Sequence, residues 1–190
     1  MKGFEAGMKI FSARRNEIMV LVILLVVVFF FGLKSYFKMG EQNAEAVEEI
    51  KPLTLNWLFY TEGLALAEKE NKYVLIYFYT DECSWCKKMI DQTYSDEEVK
   101  KILSDKFVAV KINARSENKV IENGEEISEK KLATLYQVSG YPTTWFLESN
   151  HSRVAPLPGY VDTEQFIPVL NYIGEGWYKT ISFKEYMEKI

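Results

Sequence analysis

The alternation of apolar and polar positions predicts strands and helices over most of the chain after residue 53. Apolar runs rich in β-branched and aromatic residues predict strands at 73–79, 106–113, 143–147 and 154–157. Apolar residues at helical spacing predict helices at 57–69, from about 83, after 95, at 128–138, at 162–174 and from 182. The order predicts an α/β fold in which the first two strands, joined through a helix, run parallel.

Helix start signals support these boundaries. The run Ser95-Asp96-Glu97-Glu98 is typical of a capping box, in which Ser95 caps the helix. Ser128 and Asp162 are predicted caps of the next two helices, and Ser182 opens the last one with Glu185 three residues on.

An uncharged apolar run near the N-terminus, residues 18–33, predicts a membrane anchor. The run is slightly short of the roughly 20 residues that a spanning helix needs, but Tyr36 and Phe37 suit an interface and Lys34 can extend its charge to the surface. A cleaved signal peptide is less consistent, because residues 34–38 make a poor cleavage site. A buried core helix is disfavoured, because the run has no amphipathic face.

The flanks of this run predict the domain organisation. Residues 1–17 form a basic tail, residues 34–52 a polar tether, and residues 53–190 a folded domain. Residues 1–40 carry a net charge of +4 and residues 41–190 a net charge of −8. The positive-inside rule then places the N-terminus in the cytoplasm and the domain on the extracytoplasmic side, periplasmic or at the cell surface. An acidic domain argues against nucleic acid as a partner.

The two cysteines of the chain, Cys83 and Cys86, lie at the junction of a predicted strand and a predicted helix. At a helix N-terminus the unpaired N–H groups stabilise a thiolate, and Cys86 lies one turn on, within bonding reach. This arrangement is typical of a redox-active pair. A structural disulfide stays open, although so short a loop constrains the unfolded chain little. A metal site is disfavoured, because the two cysteines and His151 leave a structural zinc one ligand short.

Together with Gly140-Tyr141-Pro142-Thr143 before the third strand, this junction resembles the thioredoxin superfamily over residues 55–175. The segments WCKKM and KFVAVKIN make the chain similar to the C-terminal domain of transmembrane thiol:disulfide interchange proteins and to other membrane-tethered thioredoxin-related proteins. The resemblance implies a thioredoxin-like fold, with a central mixed sheet flanked by helices and no cofactor.

The resemblance also implies roles for individual residues. Cys83 resembles the exposed attacking cysteine, and Cys86 the buried resolving cysteine. Pro142 matches the family's cis-proline, which faces the disulfide and with Tyr141 helps to bind substrate; an ordinary trans-proline turn is the alternative. Lys111 falls where thioredoxins often carry a lysine near the buried cysteine, with a solvated strand lysine as the alternative.

One departure from the family's pattern concerns proton transfer. Many thioredoxins carry a buried aspartate in the strand before the motif, and the matching position here is Tyr77. Glu82 and Lys111 are therefore the candidate groups for proton transfer or tuning, besides water. Trp85, between the cysteines, is a candidate apolar platform for substrates, and packing at the helix start is the alternative.

The charges near the motif favour a reductase. A strongly stabilised thiolate makes a dithiol an oxidant. Here the negative charges of Asp81 and Glu82 disfavour a Cys83 thiolate, and only Lys87 favours it. We therefore predict a membrane-anchored thiol–disulfide oxidoreductase that acts on protein disulfides, with a membrane electron donor as a candidate partner. A disulfide oxidase or isomerase is one alternative, and a non-catalytic thioredoxin-fold adaptor that binds a partner at the membrane is another.

A polar stretch, residues 114–127, separates the second predicted strand from the following helix. Its start at the carboxyl end of a parallel strand places it on the same sheet edge as the cysteines. We predict a loop that turns at Asn123-Gly124, flanks the site and tunes the choice of partner. A solvated insertion without such a role is the alternative.

Overall fold

The computed structural model describes residues 25–29 and 54–190. The chain divides into two units, Met1–Lys51 and Pro52–Ile190. In the first unit, residues 25–29 are helical and exposed. No helix in the described ranges is long and apolar enough to cross a membrane. The predicted tail, most of the predicted anchor at 18–33, and the tether at 34–52 lie outside the described residues, so the N-terminal organisation stays a prediction.

The second unit is an α/β domain. Its strands are β1 (Tyr73–Tyr79), β2 (Phe107–Asn113), β3 (Lys119–Glu122), β4 (Glu125–Ser128), β5 (Thr143–Leu147) and β6 (Arg153–Pro158). Its α-helices are α1 (Tyr60–Glu70), α2 (Ser84–Lys88), α3 (Glu97–Lys106), α4 (Glu129–Leu135), α5 (Thr163–Gly174) and α6 (Phe183–Met187). A π-helical turn, Met89–Thr93, follows α2, and a 3₁₀ turn, Trp177–Lys179, follows α5.

Four strands form the central mixed sheet, in the order β2-β1-β5-β6. β1 and β2 run parallel, as the helical connection between them predicts. β5 lies antiparallel to β1 on its other side, and β6 lies antiparallel to β5. Tyr77, in the middle of β1, therefore has Lys111 of β2 on one side and Thr144 of β5 on the other.

The alternation of side chains along β1 divides the interior into two cores, one on each face of the sheet. Val74, Ile76 and Phe78 point to the first core, which is covered by α1, α4 and the β3–β4 hairpin. Leu75 and Tyr77 point to the second core, which is covered by α2, the π-helical turn, α3 and α5. Both faces of the central strand are thus buried, which explains why its sequence is almost continuously apolar.

A glycine lets α1 approach the sheet closely. A methyl group at Gly63 would overlap Cγ2 of Val110, a fully buried residue of β2. The side of α1 that faces β2 therefore has no room for a side chain at this position, and the helical periodicity of apolar residues alone does not reveal this constraint.

The helix caps agree with the sequence at three positions and differ at one. Ser128 and Asp162 accept hydrogen bonds from the backbone N–H groups of Lys131 and Gln165, and Ser182 forms a capping box with Glu185. The prediction that Ser95 caps α3 is wrong. Asp96 is the cap and accepts from two backbone N–H groups, while the Ser95 hydroxyl donates to the backbone oxygen of Asp91.

The segment predicted as a polar loop at 114–127 contains a β-hairpin. β3 and β4 pair antiparallel around a turn at Asn123 and Gly124, both at positive φ, so the turn was predicted correctly and the strands on either side of it were not. Val120 is buried in the first core, and Ile127, opposite it in the hairpin, packs against that core. These two opposed residues give the hairpin an apolar face towards the core, although the segment is polar overall.

Candidate active site

Cys83 and Cys86 lie at the end of β1, where the chain turns into α2. The two residues form a disulfide, with their Cα atoms 5.2 Å apart. Cys83 is the N-cap of α2, and its Sγ accepts a hydrogen bond from the backbone N–H of Cys86 at 3.0 Å. Cys83 is partly exposed, whereas Cys86 is only 3% exposed. The two sulfurs therefore differ in their exposure to solvent. The N–H that points at the exposed Cys83 sulfur is one of those that a helix start leaves without a backbone partner.

A loop containing Pro142 lies at the same end of the sheet. The Tyr141–Pro142 peptide bond is cis, as the family resemblance implies. Thr143, the next residue, pairs with Phe78 near the end of β1, so the proline stands close to the strand end that carries the cysteines. The backbone oxygen of Pro142 accepts a hydrogen bond from the N–H of Gly159 at 2.8 Å, which ties this loop to the segment after β6.

Tyr77 occupies the place beneath the disulfide where the family's aspartate is expected. Its hydroxyl donates a hydrogen bond to the backbone oxygen of Cys86 at 3.0 Å, and its ring packs against Trp57 and Tyr94. Burial raises the pKa of Tyr77, so the phenol stays protonated in the neutral range. Tyr77 therefore supports the cysteine helix and does not act as a base.

A cavity of about 200 Å³ opens beside Cys86. Its lining combines aromatic and charged side chains: Tyr77, Tyr79, Asp81, Lys87, Asp91 and Lys111. The Nζ of Lys111 lies 4.3 Å from the centre of the Tyr79 ring. Burial lowers the pKa of Lys111, and the negative charge of Asp81 partly offsets that effect. Of the two candidate groups for proton transfer, Lys111 thus shares a cavity with the buried cysteine.

Glu82, the other candidate, lies on the outer surface. Its carboxylate pairs with the Arg115 guanidinium at 3.2 Å, and the neighbouring Asp81 accepts a hydrogen bond from the Asn113 amide at 2.8 Å. These contacts connect the motif to the end of β2 and the residues just after it. The start of the 114–127 segment therefore flanks the motif, through Arg115. Its hairpin packs on α1 and α4, and Thr61 of α1 accepts from the Ile121 N–H.

Trp85 projects from the start of α2 beside Tyr160, which follows β6. Trp85 is 55% exposed, and its ring centre lies 5.5 Å from that of Tyr160. The Nζ of Lys88 stands over both rings, 5.0 Å from the centre of Trp85 and 4.6 Å from that of Tyr160. Packing at the helix start and an exposed aromatic surface are thus both features of Trp85.

Several residues of this site were not predicted from the sequence. Lys88 follows Trp85 by three positions, a spacing that places both on one helix face and could have indicated their contact. No such local signal marked Arg115 and Tyr160, because they come from segments after β2 and β6. Asp91 was not marked either, because it reaches the cavity from the π-helical turn that follows α2. Within 54–190 and 25–29, no group of three or more Cys, His, Asp or Glu residues is arranged to hold a metal ion.

The fold and the cysteine pair define a thioredoxin-like protein. The family model described as the thioredoxin-like domain matches residues 60–174, more than half of the chain, and the chain therefore belongs to the thioredoxin-like family. The N-terminal unit lies outside the matched residues.

Similar proteins of known name or structure agree with this family. The disulfide bond reductase DsbH of Chlamydia pneumoniae is 25% identical over 115 residues, which are 60% of this chain and 69% of that protein. A thioredoxin-fold protein from Helicobacter pylori is 27% identical, with a TM-score of 0.54 over 63% of this chain and 84% of that one. A thioredoxin from Thermus thermophilus is 29% identical, with a TM-score of 0.52 over 63% and 86% of the two chains.

Proposed function

We propose that this protein is a membrane-anchored thiol–disulfide oxidoreductase that reduces protein disulfides. The observation that carries the proposal is the disulfide between a partly exposed Cys83 and a buried Cys86 at a helix start, opposite a cis-proline loop. Membership of the thioredoxin-like family supports disulfide oxidoreductase chemistry. The similarity to a protein named disulfide bond reductase supports the direction of the reaction.

The reaction proceeds by two exchanges between sulfurs. In the reduced protein, the Cys83 thiolate attacks one sulfur of a substrate disulfide; that bond breaks, a mixed disulfide forms, and the other substrate sulfur leaves as a thiolate that takes up a proton. Cys86 then loses its proton and attacks the Cys83 sulfur. The Cys83–Cys86 bond forms, the second substrate sulfur leaves, and two electrons have passed from the protein to the substrate. A two-electron donor must reduce the protein again.

The surroundings of each cysteine suit these roles. The N–H of Cys86, which points at the Cys83 sulfur, stabilises negative charge on that sulfur when the disulfide opens. Cys86 is buried next to the cavity that Lys111 lines, and burial lowers the pKa of that lysine, so Lys111 is the candidate acceptor of the Cys86 proton. Tyr77 holds the Cys86 backbone from below and leaves the proton transfer to Lys111 or water.

The substrate-binding surface of this proposal comprises Trp85, Tyr141 and Pro142. The exposed ring of Trp85 offers an apolar contact next to the attacking sulfur. The cis-proline loop stands at the same sheet end, where Pro142 is buried and Tyr141 is partly exposed, so a substrate would meet this loop through Tyr141. This assignment follows the family resemblance and the shared location.

The membrane anchor is a separate part of the proposal. Its support is the uncharged run at 18–33 and the excess of positive charge before it. Alkaline extraction of membranes that contain the full chain tests the anchor. Retention in the membrane fraction, with the domain cleaved by protease added from the extracytoplasmic side, is expected, and full release into the supernatant contradicts it.

Reduction of insulin by the full chain, with dithiothreitol as electron donor, tests the enzymatic part. We expect insulin to precipitate much faster than with dithiothreitol alone, because Cys83 is exposed at a helix start and Cys86 is placed to resolve the mixed disulfide. The Cys83→Ser variant is the matched control and is expected to match the uncatalysed rate. A wild-type rate equal to that of the control contradicts the enzymatic proposal. The non-catalytic thioredoxin-fold adaptor is then the remaining hypothesis.

A further inference from the structure

Lys88, Trp85 and Tyr160 form a compact group on the surface beside Cys83. The ammonium of Lys88 stands over both aromatic rings, at 5.0 and 4.6 Å from their centres. The two rings are 5.5 Å apart and inclined at 44°. The aromatic faces attract the cation and hold it in one place, so its position relative to the motif is defined. We call this group the aromatic–lysine subsite.

The subsite spans the two parts of the protein that border the disulfide. Trp85 lies between the two cysteines, and Lys88 follows at the end of α2. Tyr160 comes from the other part: it follows Gly159, whose N–H donates to the backbone oxygen of Pro142. The Tyr160 hydroxyl donates to Oε1 of Gln92 at 3.1 Å, which fixes the ring against the π-helical turn that follows α2. Through Trp85, which lies between the two cysteines, the subsite adjoins the motif that a substrate has to reach.

The positive charge of the subsite has no carboxylate partner within the domain. None of the ion pairs among residues 54–190 includes Lys88. Of the acidic side chains next to the motif, Glu82 pairs with Arg115 and Asp81 accepts from Asn113. Asp91 lines the cavity beside Cys86 and forms no ion pair with Lys88. The surface around Cys83 is thus divided into an acidic flank, at 81–82, and a basic aromatic flank, at Lys88.

We propose that the aromatic–lysine subsite selects protein disulfides in which a glutamate or aspartate neighbours the attacked cysteine. The proposal rests on the proposed function and names the substrate class of that same site. The ammonium of Lys88 pairs with the incoming carboxylate, and the Trp85 and Tyr160 rings cover the aliphatic part of the side chain. A lysine or arginine at the same place in a substrate meets a like charge that is fixed in position and is disfavoured.

The test uses the reduced full chain and three disulfide peptides that differ at one residue, next to the cysteine under attack: glutamate, glutamine or lysine. The second-order rate constant of peptide reduction is measured under single-turnover conditions at low salt. We expect the glutamate peptide to react about threefold to fivefold faster than the glutamine peptide, which is the effect of an exposed ion pair. The lysine peptide is expected to be slower than both, and added salt to reduce the differences.

Four variants, one of them a control outside the subsite, assign the preference to the subsite. Lys88→Gln is expected to bring the ratio of glutamate to glutamine rates close to one, and Lys88→Arg to retain most of the preference. Lys101→Gln makes the same charge change at an exposed lysine of α3 and is expected to leave the ratio as in the wild type. Tyr160→Leu removes one of the two rings that hold the cation and is expected to lower the ratio.

The outcomes separate this proposal from the proposed function. If the wild type reduces the glutamine peptide but shows equal rates for all three peptides, the subsite proposal is wrong and the oxidoreductase proposal stands. The subsite proposal is also overturned if the preference is present but survives in Lys88→Gln. If the wild type reduces neither the peptides nor insulin, the proposed function itself is overturned.

Discussion

The Cys86→Ser variant is expected to form stable mixed disulfides with its protein substrates through Cys83. The remaining cysteine is partly exposed and keeps the helix-start N–H that stabilises its thiolate, so the first exchange proceeds. No second thiol is left within reach to release the substrate. Insulin reduction should fall at least about a hundredfold, because the covalent intermediate is no longer resolved. Non-reducing electrophoresis of the variant with oxidised protein substrates detects the adducts.

Two controls define this result. The Cys83→Ser variant keeps a single cysteine, but that cysteine is the buried one, and it is expected to trap little or nothing. The adducts of Cys86→Ser must also disappear on addition of dithiothreitol. Equal trapping by the two variants would show that access does not distinguish the cysteines and would contradict the assignment of Cys83 as the attacking residue.

The Lys111→Met variant is expected to slow the second exchange about a hundredfold while leaving the first exchange intact, since a positioned base that water partly replaces contributes at the low end of general base catalysis. Lys111 lines the cavity beside Cys86, and burial lowers its pKa, so more of the amine is neutral near pH 7 than in a free lysine. The rate constant is measured from a preformed mixed disulfide between Cys83 and a coloured thiol, by the release of that thiol.

The pH dependence and a charge-preserving variant test how Lys111 acts. The neutral amine is lost as the pH falls below its pKa, so the advantage of the wild type over Lys111→Met should shrink towards acidic pH. Lys111→Arg keeps a positive charge but has no neutral form in this range, and it is expected to be slow as well. A fast Lys111→Arg variant would contradict proton acceptance and indicate that only the charge matters.

The parts of the fold that the sequence predicted are those with strong local signals. β1 is a central strand with both faces buried, so its apolar run marked it from Tyr73 to Tyr79. The Cys-x-x-Cys spacing located the reactive pair, because two cysteines so spaced at a strand–helix junction are typical of redox chemistry. The cis bond before Pro142 came from the resemblance to a family and from no property of the local sequence.

The parts that the sequence did not predict depend on contacts between distant segments. The β3–β4 hairpin has few apolar residues, of which Val120 and Ile127 pack on the first core and Ile121 is exposed, and packing on that core stabilises it. Tyr160 lies at the site because the segment after β6 is hydrogen-bonded to the cis-proline loop before β5, through the N–H of Gly159 and the backbone oxygen of Pro142. Asp96 and not Ser95 caps α3, because the Ser95 hydroxyl bonds back to the carbonyl of Asp91 in the π-helical turn while the Asp96 carboxylate faces the first N–H groups of α3.

The reduction potential of the Cys83–Cys86 pair, measured on the full chain in glutathione or dithiothreitol buffers, is the most direct test of a reducing dithiol enzyme. Trp85 lies between the two cysteines, so tryptophan fluorescence reports the change. We expect a two-electron transition with a midpoint of about −270 to −230 mV, the range of thioredoxin and glutaredoxins. A midpoint of about −180 to −120 mV would instead identify an oxidant or isomerase, and a transition seen only on unfolding would contradict a redox-active site altogether.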